Sequence, residues 1–264
     1  MTFPVTFNLF GLPLHAHLVA EVIAYTGGFQ LFLRTRKHFP RAQVPFEKMM
    51  WVIAGAVFGA LFGSKLLAWL ESPGHYWTAF DAGRIDVLLG GKTVVGGLLG
   101  GWIGVELAKR QLGIRGSTGD AFVFPLIFGQ CVGRVGCFLT GLSDHTHGVH
   151  TAVPWAVDFG DGPRHPAQLY EIAFLLVVAV TIWRLRRHVL PNGALFVVYL
   201  SAYLLFRFVV EFIKPVERNV MGLSAIQIAS LLGAAALAVM FACRARRERR
   251  SQTGDSVEPT TKPA

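Results

Sequence analysis

Charge is scarce in this chain. Only 16% of its 264 residues are Asp, Glu, Lys or Arg, against 53% hydrophobic residues. With a mean hydropathy of +0.48, that composition excludes an ordinary soluble globular domain. Acidic residues are the scarcer sign, 16 against 25 Lys plus Arg, for a formal net charge of +9. On a soluble chain such an excess would suggest nucleic acid. Here most basic residues sit in short runs between apolar stretches, which argues against a nucleic-acid partner and for membrane loops. Cysteine is also sparse: Cys131, Cys137 and Cys243 all lie in or beside apolar runs, which excludes a disulfide framework. The N-terminus, MTFPVTFNLFGLPLH, lacks a basic stretch and a small-residue cleavage site, so no cleaved signal peptide is expected. No internal repeat is present.

What the sequence has in quantity is apolar segments. They cover 14–33, 49–70, 93–108, 120–141, 167–183, 193–213 and 223–243, each near the roughly 20 residues a bilayer requires. The third and fifth are short. The expected fold is an all-α integral membrane protein of seven transmembrane helices over residues 1–243, with a basic and then disordered tail over 244–264. Arg34, Arg36, Lys37, Arg41 and Lys48 follow the first segment, Lys109, Arg110 and Arg115 the third, and Arg184, Arg186 and Arg187 the fifth. Arg244, Arg246, Arg247, Arg249 and Arg250 follow the seventh. The alternate loops hold only Arg84, Lys92, Arg164, Lys214 and Arg218. The positive-inside rule then places the N-terminus outside and the C-terminus in the cytoplasm. Two loops on the outer side, 71–92 and 142–165, are long enough to form a small external cap.

Polar groups inside the apolar segments carry the functional reading. The stretch GQCVGRVGCFLTG, residues 129–141, holds Arg134 in an apolar run, where an arginine is costly and is usually kept for a purpose. Given the topology, Arg134, Glu21, Lys65, Arg207, Glu211, Tyr170 and Glu171 all fall within roughly 10 Å of the outer boundary, at about 1.5 Å per residue. Arg134 has no partner on its own helix, whereas Arg207 and Glu211 are i,i+4 and share a face. Two arginines in an outer-leaflet cavity suit a phosphate headgroup, which guanidinium grips as a fork. HPAQLYE, residues 165–171, places Pro166 in the first turn of the fifth helix, followed by Gln168, Tyr170 and Glu171. Gly55, Gly59 and Gly63, Gly96, Gly100 and Gly104, and Gly129 with Gly133, form small-xxx-small frames for close helix packing. The histidines of DHTHGVH, with Asp144, offer metal ligands, but an irregular loop fixes no geometry. A solvated loop, no resident metal and no cofactor are therefore expected.

GRVGCFLTG, HPAQLYE, FRFVVEF at 206–212 and VGGLLGG at 95–101 together resemble the prolipoprotein diacylglyceryl transferase family over roughly residues 14–243. The resemblance implies a multi-pass enzyme of the bacterial plasma (inner) membrane. Such enzymes move the diacylglyceryl group of phosphatidylglycerol to the thiol of a lipobox cysteine in a precursor protein, releasing glycerol phosphate. It implies that Arg134 and Arg207 handle the phospholipid and that Glu211 is the family's glutamate one turn later. Gly96, Gly97, Gly133, Gly136, Lys65, His165, Gln168, Tyr170 and Glu171 complete the expected substrate-binding set. The chain departs from the family pattern at several positions. Val95 stands for the histidine of H-G-G, Cys137 for an asparagine, Thr140 and Leu142 for an asparagine and a glutamate, and Lys65 for an arginine. His17 stands for a tyrosine on the first helix, while the preceding histidine is kept as His15. His17 is accordingly expected to be the catalytic base in place of the residue lost at Val95, with His15 and His165 as rivals, and Cys137 to be a packing residue. Other readings stay open: a non-catalytic lipid-binding paralogue, a lipid-group transferase with a different acceptor, and a transporter or channel.

Overall fold

The computed structural model describes residues 3–9, 12–39, 44–218 and 221–254. It is an all-α membrane protein. The chain opens with a short antiparallel hairpin, β1 (Thr6–Leu9) and β2 (Leu12–His15), which leads straight into α1 (Ala16–Thr35). Next come α2 (Phe46–Glu71), two short helices α3 (Pro73–Asp81) and α4 (Ile85–Leu89), and α5 (Val94–Gln111). A 3-10 turn at Gly119–Phe122 enters α6 (Val123–Thr140), and another at Gly141–Asp144 follows it. A two-residue ladder, β3 (Val157–Asp158) and β4 (Pro163–Arg164), precedes α7 (Ala167–Leu185). The chain then forms α8 (Ala194–Val210), a 3-10 turn at Glu211–Ile213, and α9 (Ala225–Gly254).

Among the described residues six helices are long and apolar enough to cross a membrane: Ala16–His38, Phe46–Glu71, Gly119–Asp144, Ala167–Leu185, Ala194–Ile213 and Ala225–Cys243. The third expected segment becomes α5, whose many glycines, Glu106, Lys109 and Arg110 lower its hydropathy. Bulky apolar side chains stay exposed on the helices: Phe58, Leu61 and Phe62 on α2, Leu176 and Val177 on α7, Leu232 and Val239 on α9. Outward-facing apolar surface of that extent is what lipid covers. The interior is filled by Leu175, Ile182, Tyr199, Leu200, Tyr203, Leu204 and Leu237, all fully buried. α9 remains helical to Gly254, beyond the Ser251 at which disorder is expected from sequence; residues 255–264 lie outside the described ones.

Two helix pairs set the frame. α2 packs on α5 through the expected glycine frames: Gly55, Gly59 and Gly63 lie against the backbone of Gly104, Gly100 and Gly96. A side chain at Gly59 or Gly100 would run into the other helix's main chain. α1 packs on α6, where a Cβ at Gly136 would come within 2.6 Å of the Ala20 methyl and 3.3 Å of the His17 Cα. That missing side chain lets the start of α1 reach the second half of α6.

The 142–165 segment is ordered, in contrast to the irregular loop expected. The Gly148 N–H donates to the His165 carbonyl at 2.9 Å, the His165 N–H to Val149 at 3.1 Å, and the Val149 N–H to Ile213 at 2.8 Å. The Asp158 carboxylate accepts from the amides of Gly160 and Gly162. Phe3, Phe138 and Phe159 pack edge-on and tilted against one another, and the Val5 N–H donates to the Leu139 carbonyl at 2.9 Å. The N-terminal hairpin and the loop therefore close the same end of the bundle.

Candidate active site

The end closed by the hairpin and the loop is also where the buried charges meet. Arg134 of α6 is buried, and its Nε lies 2.7 Å from Glu171 Oε1 of α7. The Tyr203 hydroxyl of α8 donates to the same oxygen at 2.8 Å. Arg207 of α8 reaches Glu171 Oε2 at 3.4 Å through Nη1 and Glu211 Oε2 at 2.7 Å through Nη2. The arginine without a partner on its own helix thus takes its carboxylate from α7, and the expected Arg207–Glu211 pair forms. Two arginines and two glutamates balance, as groups buried this deeply must. The network still has open valences: Arg207 Nε and Glu211 Oε1 are buried with no hydrogen-bond partner. Lys214, just past the turn that ends α8, is buried beside them. Its burial, reinforced by the nearby Arg207, pushes its ammonium down to about 7.

A second polar group adjoins the first. Arg134 Nη1 lies 3.8 Å from Cys137 Sγ. His17 approaches from α1, with Nδ1 3.6 Å from Asp144 Oδ1 and Nε2 3.5 Å from Glu21 Oε1. The Thr146 hydroxyl donates to Asp144 Oδ2 at 2.6 Å and accepts from Gln168 Nε2 at 3.0 Å. Gln168, Glu171, Arg134, Arg207, Glu211 and His17 are therefore brought together. Cys137, expected to pack among apolar groups, lies instead between a guanidinium, an imidazole and a carboxylate.

Other expected site residues lie apart. His15 is exposed at the end of β2. His165 Nδ1 pairs with the Tyr170 hydroxyl at 3.0 Å, and that hydroxyl accepts from Trp155 Nε1 at 2.7 Å, a ledge over the start of α7. Pro166 caps α7 just before its first turn. Gly133 has open space beside it, while Gly96 belongs to the α2–α5 seam. Val95 is buried in the apolar core. Lys65 donates to the carbonyls of Gly90 and Gly91. Of the loop histidines, His145 and His150 are exposed and His147 is buried. Among the described residues the group with metal-ligand spacing is a different one, His17, Cys137 and Asp144.

A cavity of about 530 Å³ runs along the bundle, from Lys65 and Lys92 to Ser117 and Asn192. Its walls are apolar, with Ala56, Ala60, Gly97, Leu98 and Trp102 among them, and Lys65 and Lys92 line it too. Lys92 Nζ sits 3.6 Å from Glu21 Oε1, so the cavity's cationic edge touches the carboxylate that holds His17. An apolar cavity with cations at its edge can accept an amphiphile whose headgroup is an anion.

The sequence did not single out Tyr203 or Lys214 as site residues, and it offered Asp144 only as a ligand beside the loop histidines. Tyr203 reads as one more aromatic in an apolar helix, and Lys214 reads as a loop charge. Only the register between helices shows what they face.

Comparison with known proteins gives a consistent picture. The profile of the family described as prolipoprotein diacylglyceryl transferase matches residues 4–243. A protein of Nitratidesulfovibrio vulgaris named phosphatidylglycerol–prolipoprotein diacylglyceryl transferase is 34% identical over 62% of this chain and 62% of its own length. Proteins of the same name from Bordetella avium and Wolinella succinogenes are 28% and 29% identical. Each match covers 93% of this chain, with 97% and 94% of the relative.

Proposed function

The chain belongs to the prolipoprotein diacylglyceryl transferase family, and on that premise we propose that it transfers the diacylglyceryl group of phosphatidylglycerol to the cysteine thiol of a lipobox-bearing precursor. The observation that carries this reading is the pair of buried arginines, Arg134 and Arg207, joined through Glu171, in a bundle that also encloses an apolar cavity. The acyl chains occupy the cavity. The headgroup phosphate enters the ionic network, where Arg207 Nε is the donor left open, and the two guanidiniums take up charge as it develops on the leaving group. The acceptor sulfur forms a bond to the glyceryl carbon, the carbon–oxygen bond to phosphate breaks, and its electron pair leaves with glycerol phosphate. The thiol must first lose its proton, and that task falls to the His17 corner, which lies next to Arg134 through Cys137. His165, Tyr170 and Gln168 line the approach under the ordered loop.

In this reading α5 is the seventh membrane helix. The N-terminus and the 142–165 loop face outward, and the basic end of α9 faces the cytoplasm of a bacterium whose plasma (inner) membrane holds the protein. The loop charge asymmetry supports that orientation. The test is mass spectrometry of a lipobox peptide incubated with phosphatidylglycerol and purified protein. The expected product carries a diacylglyceryl thioether on cysteine. A peptide left unmodified, while phosphatidylglycerol still binds, would refute transfer.

A further inference from the structure

Two of the family departures, His17 and Cys137, meet at one point of the structure, and Asp144 joins them. One ligand atom from each lies within 4.8 Å of the others. The 3.6 Å between His17 Nδ1 and Asp144 Oδ1 is too long for a hydrogen bond. It does suit the edge of a tetrahedron with bonds of about 2.0–2.3 Å to a central ion, which is roughly 3.3–3.7 Å long. His17 Nδ1 is buried without a hydrogen-bond partner, so the imidazole turns an unused nitrogen into this gap.

The groups behind the three residues are those a metal site uses to aim its ligands. Glu21 Oε1 faces His17 Nε2 at 3.5 Å, a carboxylate on the far side of the ring from the gap that Nδ1 faces. The Thr146 hydroxyl holds Asp144 Oδ2, and Gln168 holds Thr146, so Oδ1 is the oxygen left over. Arg134 Nη1 lies 3.8 Å from Cys137 Sγ only as a neighbouring cation, so the sulfur enters the site by position. The His17 side chain is 34% exposed, whereas its Nδ1, which faces the gap, is buried. Three protein ligands of mixed N, S and O character with one position open are the pattern of a reactive zinc site, not a closed structural one.

We propose that His17, Cys137 and Asp144 bind a zinc-class divalent cation whose fourth position takes the acceptor's thiol. This rests on the transferase reading and refines it at His17. Both imidazole nitrogens face carboxylates, so the ring holds the cation and the cation generates the nucleophile. A thiol bound to zinc would lose its proton outright, and the proton would pass to water. The sulfur then attacks the glyceryl carbon as described, and the phosphate oxygen leaves with the bonding pair toward Arg134 and Arg207. Proton removal thereby no longer depends on the position that holds Val95.

The test reads the metal first, without lipid or peptide. Detergent-purified protein is stripped with a chelator and titrated with Co²⁺. The expected result is one ion per chain, with a near-ultraviolet sulfur-to-cobalt charge-transfer band and the visible bands of a four-coordinate ion, all abolished by added Zn²⁺. Cys137→Ser removes the charge-transfer band, and Cys131→Ser leaves it intact. His17→Asn and Asp144→Asn weaken binding, and Glu21→Gln weakens it about 10- to 100-fold while keeping the spectrum. Circular dichroism and thermal melting of each variant separate a lost ligand from a lost fold. Absence of the charge-transfer band in the parent, or its persistence in a folded Cys137→Ser protein, overturns the site. Transfer at parental rate by zinc-free protein overturns the role at the thiol. Zinc bound through Cys137 without thioether formation refutes the transferase reading and leaves the site standing.

Discussion

The seam between α2 and α5 and the ionic end shared by α6, α7 and α8 are both close approaches of helices, made by opposite means. At the seam nothing reaches across: glycines bring main chain against main chain, and the gain is packing over many small contacts. At the ionic end everything reaches across, since Glu171 of α7 holds Arg134 of α6 together with Arg207 and Tyr203 of α8. The seam is a sum of local steric terms, so each glycine acts by itself. The ionic end is a network whose members are tolerable in an apolar interior only together, so the loss of one leaves the rest uncompensated. The rigid seam forms part of the cavity wall, while the ionic end keeps open valences for a ligand.

The largest effect is expected where the network loses its hub. Glu171→Leu leaves two buried guanidiniums against one carboxylate and should destabilise the protein by about 3–5 kcal/mol. Thermal unfolding in detergent measures it, and a melt like the parent's would mean that the arginines find other partners. The seam should break next. Gly59→Leu drives a side chain into the Gly100 backbone, an overpacking of about 3 kcal/mol or more, whereas Gly133→Ala, with open space around it, should be nearly neutral in the same melt. If both glycine variants melt alike, steric approach is not what holds α2 on α5. A subtler comparison keeps the charge and changes its shape. Arg207→Lys retains one cation but loses the fork shared between Glu171 and Glu211, so phosphatidylglycerol affinity should fall about tenfold or more while the melt moves less than in Glu171→Leu. Parental affinity in Arg207→Lys would remove Arg207 from the phosphate site.

The same contrast governs what could be read from the sequence. The seam is periodic: glycines four apart in two segments announce a helix face, and that face packs as expected. The depth argument likewise collected Arg134, Glu171, Arg207 and Glu211, because distance along a helix fixes depth in a membrane. Rotation and register between helices leave no such signal. Hence the partner of Arg134, the hydroxyl of Tyr203 and the meeting of His17 with Cys137 and Asp144 emerged only from the fold. Asp144 is the clearest case. It belongs to a histidine-rich string that reads as an irregular loop, yet a 3-10 turn at Gly141–Asp144 carries it back over α6 to face His17.

The smallest expected effect lies in that loop and concerns pH. His147 is buried under it with its ring 6.2 Å from Phe159, and its Nδ1 has no partner. Burial, and then the positive charge of Arg164, hold its imidazole below the usual range. Asp161 opposes them, and His145 and Lys214 add to them. The unfolded chain therefore takes up a proton near pH 6.5 that the folded chain still refuses. Stability follows the difference in bound protons, so this contribution is complete above about pH 6.5 and is lost as the pH falls toward the depressed folded value. A pair of melting curves isolates it from the other titrating groups: the parent and His147→Phe, which keeps a ring against Phe159 and cannot charge. Between about pH 7.5 and 5.5 the parent's melting temperature should fall more steeply than the variant's. Parallel curves would mean that the loop opens enough to hydrate His147, and that the ordered cover over the start of α7 is looser than its backbone hydrogen bonds to Ile213 and His165 indicate.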